Sequence, residues 1–296
     1  MTMTMTMTTP TTTEECPTCG TELLQSMVDP LAVLDRDIRQ AASTLTVPQA
    51  RFLVDLYYQW QDDRKSSRAQ LRASAEEPEP HGVVTWLANN TERVEKTILY
   101  ELAKFSNSQR VGLWAQSIMG IGPVLTAGLI AHIDITRAPT VGHIWSFAGV
   151  NPDQRKWEKG NKRPFNAKLK VLVWKIGESF VKVSNRENDI YGHVYAERKV
   201  LEQTRNEAGA FAYQAAHALS SKNYGKSTDA YKAYIMGILP PAHIHARAKR
   251  YAAKLFLAHY HHVAYELEYG EAPPKPYVID HLAHAHYIAP PNWPMD

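Results

Sequence analysis

The sequence predicts an all-α protein whose helices are joined by short turns. Three observations support this fold class. Apolar residues recur at helical spacing, glycine and proline mark the ends of the helical segments, and no alternating apolar–polar run is long enough to build a sheet. The 296 residues are 44% hydrophobic and 21% charged. That composition is typical of a globular protein with ample material for a core.

The first 29 residues are predicted to precede the helical part. Residues 1–15 alternate Met and Thr and then become Thr-rich, which indicates a disordered tail. Residues 16–29 begin with Cys16-Pro-Thr-Cys19-Gly, the shape of a zinc knuckle. Cys16 and Cys19 are therefore candidate ligands of Zn²⁺, completed by histidines or by the knuckle of a second chain. The alternative is a knuckle that holds no metal.

Residues 30–107 are predicted to form a helical hairpin resembling a coiled coil. Leu31–Leu45 has apolar residues at helical spacing and forms the first, shorter helix. Gln49–Ala75 and Val83–Phe105 are the two long helices, and the Pro-containing linker at 76–80 joins them. We expect the hairpin to act as a spacer or to mediate homodimerisation, with its charged faces exposed to solvent.

The most informative stretch, Ile118–His132, predicts two helices joined by a very tight turn. Gly120 and Gly122 accept a positive φ at low cost, and Pro123 suits the first turn of a helix. Such a turn leaves backbone N–H groups unpaired beside the positive end of a helix dipole, which suits a phosphate. The pattern Gly120-Ile121-Gly122 followed by an apolar helix matches the helix-hairpin-helix motif that binds the DNA backbone. The alternative is a turn between packed helices without a ligand.

A basic segment follows the hairpin within the predicted domain 108–185. Residues 153–163 are predicted to form a loop or short β-hairpin turning at Gly160-Asn161, and Asn166–Val183 a helix. A basic patch beside a phosphate-binding turn is typical of a nucleic-acid protein, and a solvated basic face is the alternative. We interpret Trp157 as an ordinary packed residue, with stacking on a base as the alternative. The candidate phosphate contacts are Arg155, Lys156, Lys159, Lys162, Arg163, Lys168 and Lys170.

Residues 186–296 are predicted to form further helices with a His- and Pro-rich tail. Asp189–His217 and Ala242–Tyr269 have helical apolar spacing. Eight of the 13 histidines follow position 240. We interpret them as ordinary hydrogen-bonded histidines. A metal site at His281, His284 and His286, shared with the two cysteines, is the alternative.

The composition gives information on the cellular location of the protein but not on its binding partners. The net charge of +3 by itself implies nothing about partners, and two cysteines exclude a disulfide framework. No signal peptide is visible, and no apolar run reaches the ~20 residues of a membrane span. We expect a soluble, cytoplasmic protein that does not contact a membrane.

From Ile118 onward, the order of features resembles one protein family. The hairpin is followed by Ile144-Trp-Ser-Phe-Ala-Gly-Val-Asn-Pro152, then Gly160-Asn-Lys-Arg163 and Asn166-Ala-Lys-Leu-Lys170. This set resembles the C-terminal domain of the pilin-invertase-like, IS-one-ten type transposases over residues ~118–180. The resemblance implies a recombinase that binds DNA, in some members together with a guide RNA.

Two features of that family are not found in the sequence. The family's N-terminal RuvC-like nuclease domain carries a carboxylate cluster, whereas residues 1–117 indicate helices. Its nucleophilic serine is expected in the loop at 153–163, which has no Ser, Thr or Tyr. Without that hydroxyl no covalent phosphodiester intermediate forms there, and without the carboxylates there is no two-metal site. We therefore assign no catalytic residue.

The sequence thus predicts a DNA-binding protein of the transposase family that acts in transposition or recombination. RNA is the alternative nucleic acid. A second hypothesis is an active transposase or nuclease, completed by a partner or by another serine such as Ser146. A third is a helical scaffold that binds no nucleic acid.

Overall fold

A computed structural model describes residues 41–74, 82–151, 157–274 and 288–295. Within these ranges the chain forms ten α-helices and two short 3-10 helices and has no strand, which confirms the predicted all-α class. The predicted tail at 1–15, the knuckle at Cys16 and Cys19, and most of the helix Leu31–Leu45 lie outside the described residues.

The ten helices are numbered in chain order, and the bounds of the long helices agree closely with the apolar periodicity of the sequence. They are α1 Val47–Ala73, α2 Gly82–Asn107, α3 Arg110–Ser117, α4 Pro123–His132, α5 Val141–Phe147, α6 Ala167–Val183, α7 Tyr191–Glu207, α8 Ala212–Ser221, α9 Asp229–Ile235 and α10 Pro241–Tyr269. The 3-10 helices are Ala42–Thr44 and Ile135–Arg137.

Helices α1 and α2 form the predicted antiparallel hairpin. Arg64 of α1 pairs with Glu95 of α2, and one turn further along α1 Arg68 pairs with Glu92 of α2 at 2.5 Å. The paired positions rise along one helix as they fall along the other, which shows the antiparallel direction. Dimerisation through this hairpin stays a prediction, as do the domain boundaries.

The hairpin packs onto α4 through a small apolar cluster. Small side chains of α4 allow this close packing, and Gly128 on the same helix approaches Leu172 of α6. A Cβ at Gly128 would lie 2.8 Å from a Leu172 methyl carbon, so a larger residue here would displace the Leu172 side chain. The cluster consists of Ala50, Val54, Ile98, Leu102, Phe105, Val124, Ala127 and Ala131.

A larger core surrounds α10, which contacts α3, α5, α6 and α7. Trp114, Phe180, Tyr191 and Phe256 are fully buried at its centre. The rings of Trp114 and Phe256 stack at 5.8 Å, and those of Phe180 and Tyr191 at 4.8 Å. Because large aromatic side chains bury the most apolar surface, this core fixes α6 against α10.

The predicted continuous helix Asp189–His217 is wrong, because the chain breaks between α7 and α8. Gly209 adopts a φ of 78°, a left-handed conformation that ends a helix. The side chain of Asn206 then exchanges two hydrogen bonds with the backbone of Leu239, at 2.8 and 2.9 Å. Helix α9 was not predicted.

A C-terminal segment, residues 288–295, returns to α3 and α10. The Trp114 indole N–H donates to the carbonyl oxygen of Pro291 at 2.8 Å, and that of Trp293 donates to Glu266 at 2.9 Å. Nothing in the local sequence predicts these contacts, because the partners are far apart along the chain.

Two histidines of α10, His259 and His261, are buried and hydrogen-bonded in the core. His259 contacts the Tyr191 hydroxyl at 2.6 Å and the Ile288 carbonyl at 2.9 Å, and burial lowers its pKa to about 4. His261 contacts the Ala138 carbonyl at 2.8 Å. His281, His284 and His286 lie outside the described residues. Within the described ranges, no three His, Cys, Asp or Glu side chains come together as a metal site requires.

The described helices also differ from membrane-spanning helices. None of them combines the length and the apolar character that crossing a bilayer requires.

Candidate nucleic-acid interface

The turn between α3 and α4 is as tight as predicted. Gly120 has a φ of 93°, and the Ile121 N–H donates to the Ile118 carbonyl at 3.0 Å. The Ile121 side chain is buried, and the Ser179 hydroxyl of α6 donates to the Gly120 carbonyl at 2.5 Å. The turn is therefore held from inside by Ile121 and from the side by α6.

Gly122 does not adopt the positive φ that its place in the turn suggested. Its φ of −94° and ψ of 176° are those of an ordinary N-cap residue in extended conformation. A Cβ at this position would meet no atom within 4 Å. The fold itself does not require glycine here, so the missing side chain leaves open space in front of the N-terminus of α4.

The start of α4 presents unused backbone donors. In the described part of the chain, no hydrogen bond takes the N–H groups of Gly122, Val124 or Leu125, and Pro123 has none. The Ile121 N–H, which we expected to hold a phosphate, is taken by Ile118 instead. Free N–H groups at the positive end of a helix dipole attract an anion.

Gly122 opens into a groove of about 440 Å³ between α1, α4 and α6, here called the hairpin groove. Its charged lining is mainly cationic: Lys65 comes from α1, Lys175 and Lys182 come from α6, and Glu178 of α6 is the one carboxylate among the described lining residues. The heptad spacing that places Lys168, Lys175 and Lys182 along one side of α6 therefore directs this stripe towards α1.

The lysines of the hairpin groove are poorly neutralised. Burial, together with the nearby charges of Lys65 and Lys182, lowers the pKa of Lys175 from its usual value. Among the described residues, neither Lys175 nor Lys182 forms an ion pair, and Lys65 pairs only with the exposed Asp62 at 3.3 Å. The groove therefore concentrates positive charge beside the free N–H groups of α4.

The predicted phosphate contacts occupy several different places. Lys168 forms an ion pair with Asp55 of α1, and the Lys170 amine lies 4.1 Å from the centroid of the Phe165 ring. Lys159, Lys162 and Arg163 are exposed in the loop before α6. Arg155 and Lys156 lie outside the described residues.

Lys65 was not predicted as part of the site, and Trp157 forms a hydrogen bond within its own loop. Lys65 was assigned to a solvated helix face, and only the packing of α1 and α6 onto α4 places it in the same groove as Gly122. The Trp157 indole N–H donates to the Asn161 carbonyl at 2.6 Å, within its own loop. The Ser146 hydroxyl accepts a hydrogen bond from the Asn151 amide at 3.1 Å.

A second cationic groove, of about 530 Å³, lies between α6, α7 and α10 and is here called the α10 groove. Two of its arginines are held by the buried Glu202: Arg247 Nε lies 2.8 Å and Arg198 Nη2 lies 2.5 Å from its carboxylate. Burial raises the pKa of Glu202, but the hydrogen bonds from the two arginines outweigh burial, and the pKa is lowered. The cations are Lys170, Arg198, Arg247, Lys249, Arg250 and Lys254.

The sequence model of the Transposase IS116/IS110/IS902 family matches residues 112–176 of the chain. The matched segment runs from α3 through the tight turn and into α6, and so contains one wall of each groove. The match supports the resemblance to IS110-type insertion-sequence transposases and a role in transposition. No curated protein sequence and no solved structure matches the chain.

Proposed function

We propose that the protein binds DNA through the α3–α4 hairpin, with a backbone phosphate at the N-terminus of α4, during transposition or recombination of an insertion sequence. The observation that carries this proposal is the hairpin groove. Free N–H groups of α4, an open surface at Gly122 and three lysines from two other helices converge there.

A phosphodiester fits this arrangement better than an isolated anion does. The N–H groups hold one phosphate, and the lysines lie along α1 and α6, where neighbouring phosphates of the same strand can reach them. The exposed Lys159, Lys162 and Arg163 extend the cationic surface from the start of α6. Contacts of this kind position a protein on DNA without reading its sequence.

The other expectations belong to this proposal as predictions. They are a guide or target RNA in place of DNA, a homodimer through the α1–α2 hairpin, and Zn²⁺ at Cys16 and Cys19. A transposase whose catalytic groups come from a partner stays the alternative function.

The proposal is tested by fluorescence-anisotropy binding to a generic duplex across a salt series, with the Gly122→Val variant. The valine side chain occupies the open space in front of α4 and keeps phosphate away from the N–H groups. Losing a hydrogen bond to a charged group costs about 1.5–3 kcal/mol, so we expect affinity to fall about tenfold or more. The affinity of the wild-type protein should fall steeply with salt.

Gly82→Val is the matched control, because a Cβ at Gly82 also meets no atom within 4 Å and this residue begins α2, outside the groove. It should bind like wild type, and circular dichroism should show that both variants are folded. Duplex binding by a folded Gly122→Val protein equal to wild type would remove the hairpin from the interface. A wild-type protein that binds neither duplex nor single-stranded DNA at low salt would overturn the proposed function.

A further inference from the structure

Trp174 of α6 is the residue at which the two cationic grooves meet. It lines both the hairpin groove and the α10 groove, and 56% of it is exposed. Its neighbours on α6, Val173 and Ile176, are buried, so α6 is well packed while this indole remains at the surface. Burying an indole normally stabilises a protein by a large apolar area, and Trp174 contributes little in this way.

Cations lie on both sides of this indole. Lys175 and Lys182 are in the hairpin groove, whereas Lys170, Lys249 and Arg250 are in the α10 groove. The Lys249 amine lies 4.9 Å from the centroid of the Trp174 ring and forms an ion pair with Glu178. The described carboxylates of the two grooves, Glu178 and Glu202, are both held by cations, so a net positive charge remains.

We propose that Trp174 stacks on an unpaired base of a single-stranded nucleic-acid segment whose backbone passes from the hairpin groove to the α10 groove. The inference rests on the proposed function and specifies the form of nucleic acid that this surface binds. Proteins that bind single strands combine a cationic groove for the backbone with exposed aromatic rings for the bases. A duplex keeps its bases stacked inside, so its backbone can use the lysines but not the indole.

Trp174 is better suited to this role than Trp157, the stacking candidate from the sequence. Each ring has a cation near it, with Arg163 5.0 Å from the Trp157 centroid and Lys249 4.9 Å from the Trp174 centroid. The two indoles differ in that the Trp157 N–H is taken by its own loop. Trp174 has no hydrogen bond among the described residues and lies on a helix that the core holds in place. A rigid, exposed ring between two grooves presents a fixed platform to a base.

The test compares Trp174→Ala and Trp174→Phe in the full chain, using labelled oligo(dT), oligo(rU) and duplex probes. Stacking on an aromatic ring contributes about 1–3 kcal/mol per base, so Trp174→Ala should weaken single-strand binding about fivefold or more. Duplex binding should change much less, and Trp174→Phe should restore most of the single-strand affinity. The stronger-binding oligonucleotide identifies DNA or RNA as the source of the strand.

Trp86→Ala is the matched control, because Trp86 is also an exposed indole, on α2, and lines neither groove. It should bind every probe like wild type. If Trp174→Ala binds single strands like wild type, or weakens single strands and duplex equally, the stacking role is overturned while the proposed function stands. If the wild-type protein binds neither single strands nor duplex, the proposed function fails with it.

Discussion

The lysines of the hairpin groove and the arginines around Glu202 carry the same charge in very different surroundings. Arg198 and Arg247 share one buried carboxylate, which holds them in place. Lys175 and Lys182 form no ion pair among the described residues and lie beside free backbone N–H groups. The first pair contributes to the fold. The second keeps its charge without a carboxylate partner, and the Lys175 amine lies 3.7 Å from the centroid of the Tyr58 ring.

The difference shows that counting basic residues does not locate a binding surface. A cation already paired with a carboxylate gains little from a phosphate, because binding must first compete with the existing partner. A cation without such a partner, and near others of the same sign, gains more. Lys168 illustrates the first case within the predicted set, since Asp55 neutralises it.

The largest expected effect is the loss of stability when Glu202, the partner of Arg198 and Arg247, is replaced. Glu202→Gln leaves two arginines without their counter-ion, and breaking a buried pair typically costs about 3–5 kcal/mol. We expect the free energy of unfolding, measured by urea denaturation, to fall by that order. Glu197→Gln, an exposed site on the same helix, should change it by less than about 0.5 kcal/mol.

The stability difference between wild type and Glu202→Gln should depend on pH in a defined direction. Because the pKa of Glu202 is lowered in the folded protein, its stabilising contribution is present above the unfolded pKa of about 4.3 and is lost as the pH falls through the folded pKa. The stability gap between wild type and Glu202→Gln should therefore narrow in acid. If wild type and Glu202→Gln have nearly the same stability at neutral pH, the ion pairs of Arg198 and Arg247 with Glu202 do not stabilise the fold.

An effect of intermediate size is expected on stability, and it should differ between Gly120 and Gly122. Gly120→Ser places a side chain at a φ of 93° and near Ser179, so we expect a loss of about 1–2 kcal/mol in the free energy of unfolding. Gly122→Ser adds a favoured N-cap residue in open space and should change stability by less than about 0.5 kcal/mol. Thermal and urea unfolding of both variants measure this contrast. Equal losses would mean that Gly122 is also required by the fold.

The smallest expected effect is on the salt dependence of DNA binding, when a lysine of the hairpin groove is replaced. Lys182→Gln removes one unneutralised charge and should reduce the slope of log K against log salt for DNA by about 0.7–0.9. Lys168→Gln, at a lysine already paired with Asp55, should reduce it less. Lys222→Gln, exposed between α8 and α9, is the control and should leave the slope unchanged. A Lys182→Gln slope equal to that of wild type would place the DNA outside the hairpin groove.

Much of the architecture could be predicted because its causes are local. Apolar spacing predicted the long helices, and Gly120 with Pro123 predicted the tight turn. The break at Gly209 was also available locally, since glycine favours the left-handed conformation that ends α7, but the periodicity on both sides concealed it. Helix α9 is only one short element in a polar region and has little periodicity to reveal it.

The site could be predicted only in part, because a groove depends on distances between helices. The sequence indicated the phosphate-binding turn and a basic α6. It could not show that Lys65 reaches Gly122 from α1, that Asp55 neutralises Lys168, or that Trp174 lies between two grooves. Each of these facts depends on how α1 and α10 pack against α6.

By itself, then, the sequence determined the all-α class, the α3–α4 turn and its resemblance to a transposase hairpin, since these follow from backbone propensities and short-range spacing. The tertiary structure alone decided which cations are neutralised, which N–H groups stay free and which indole remains exposed. The physical reason is that charge and burial are properties of neighbouring side chains in space, and those neighbours come from distant positions in the chain.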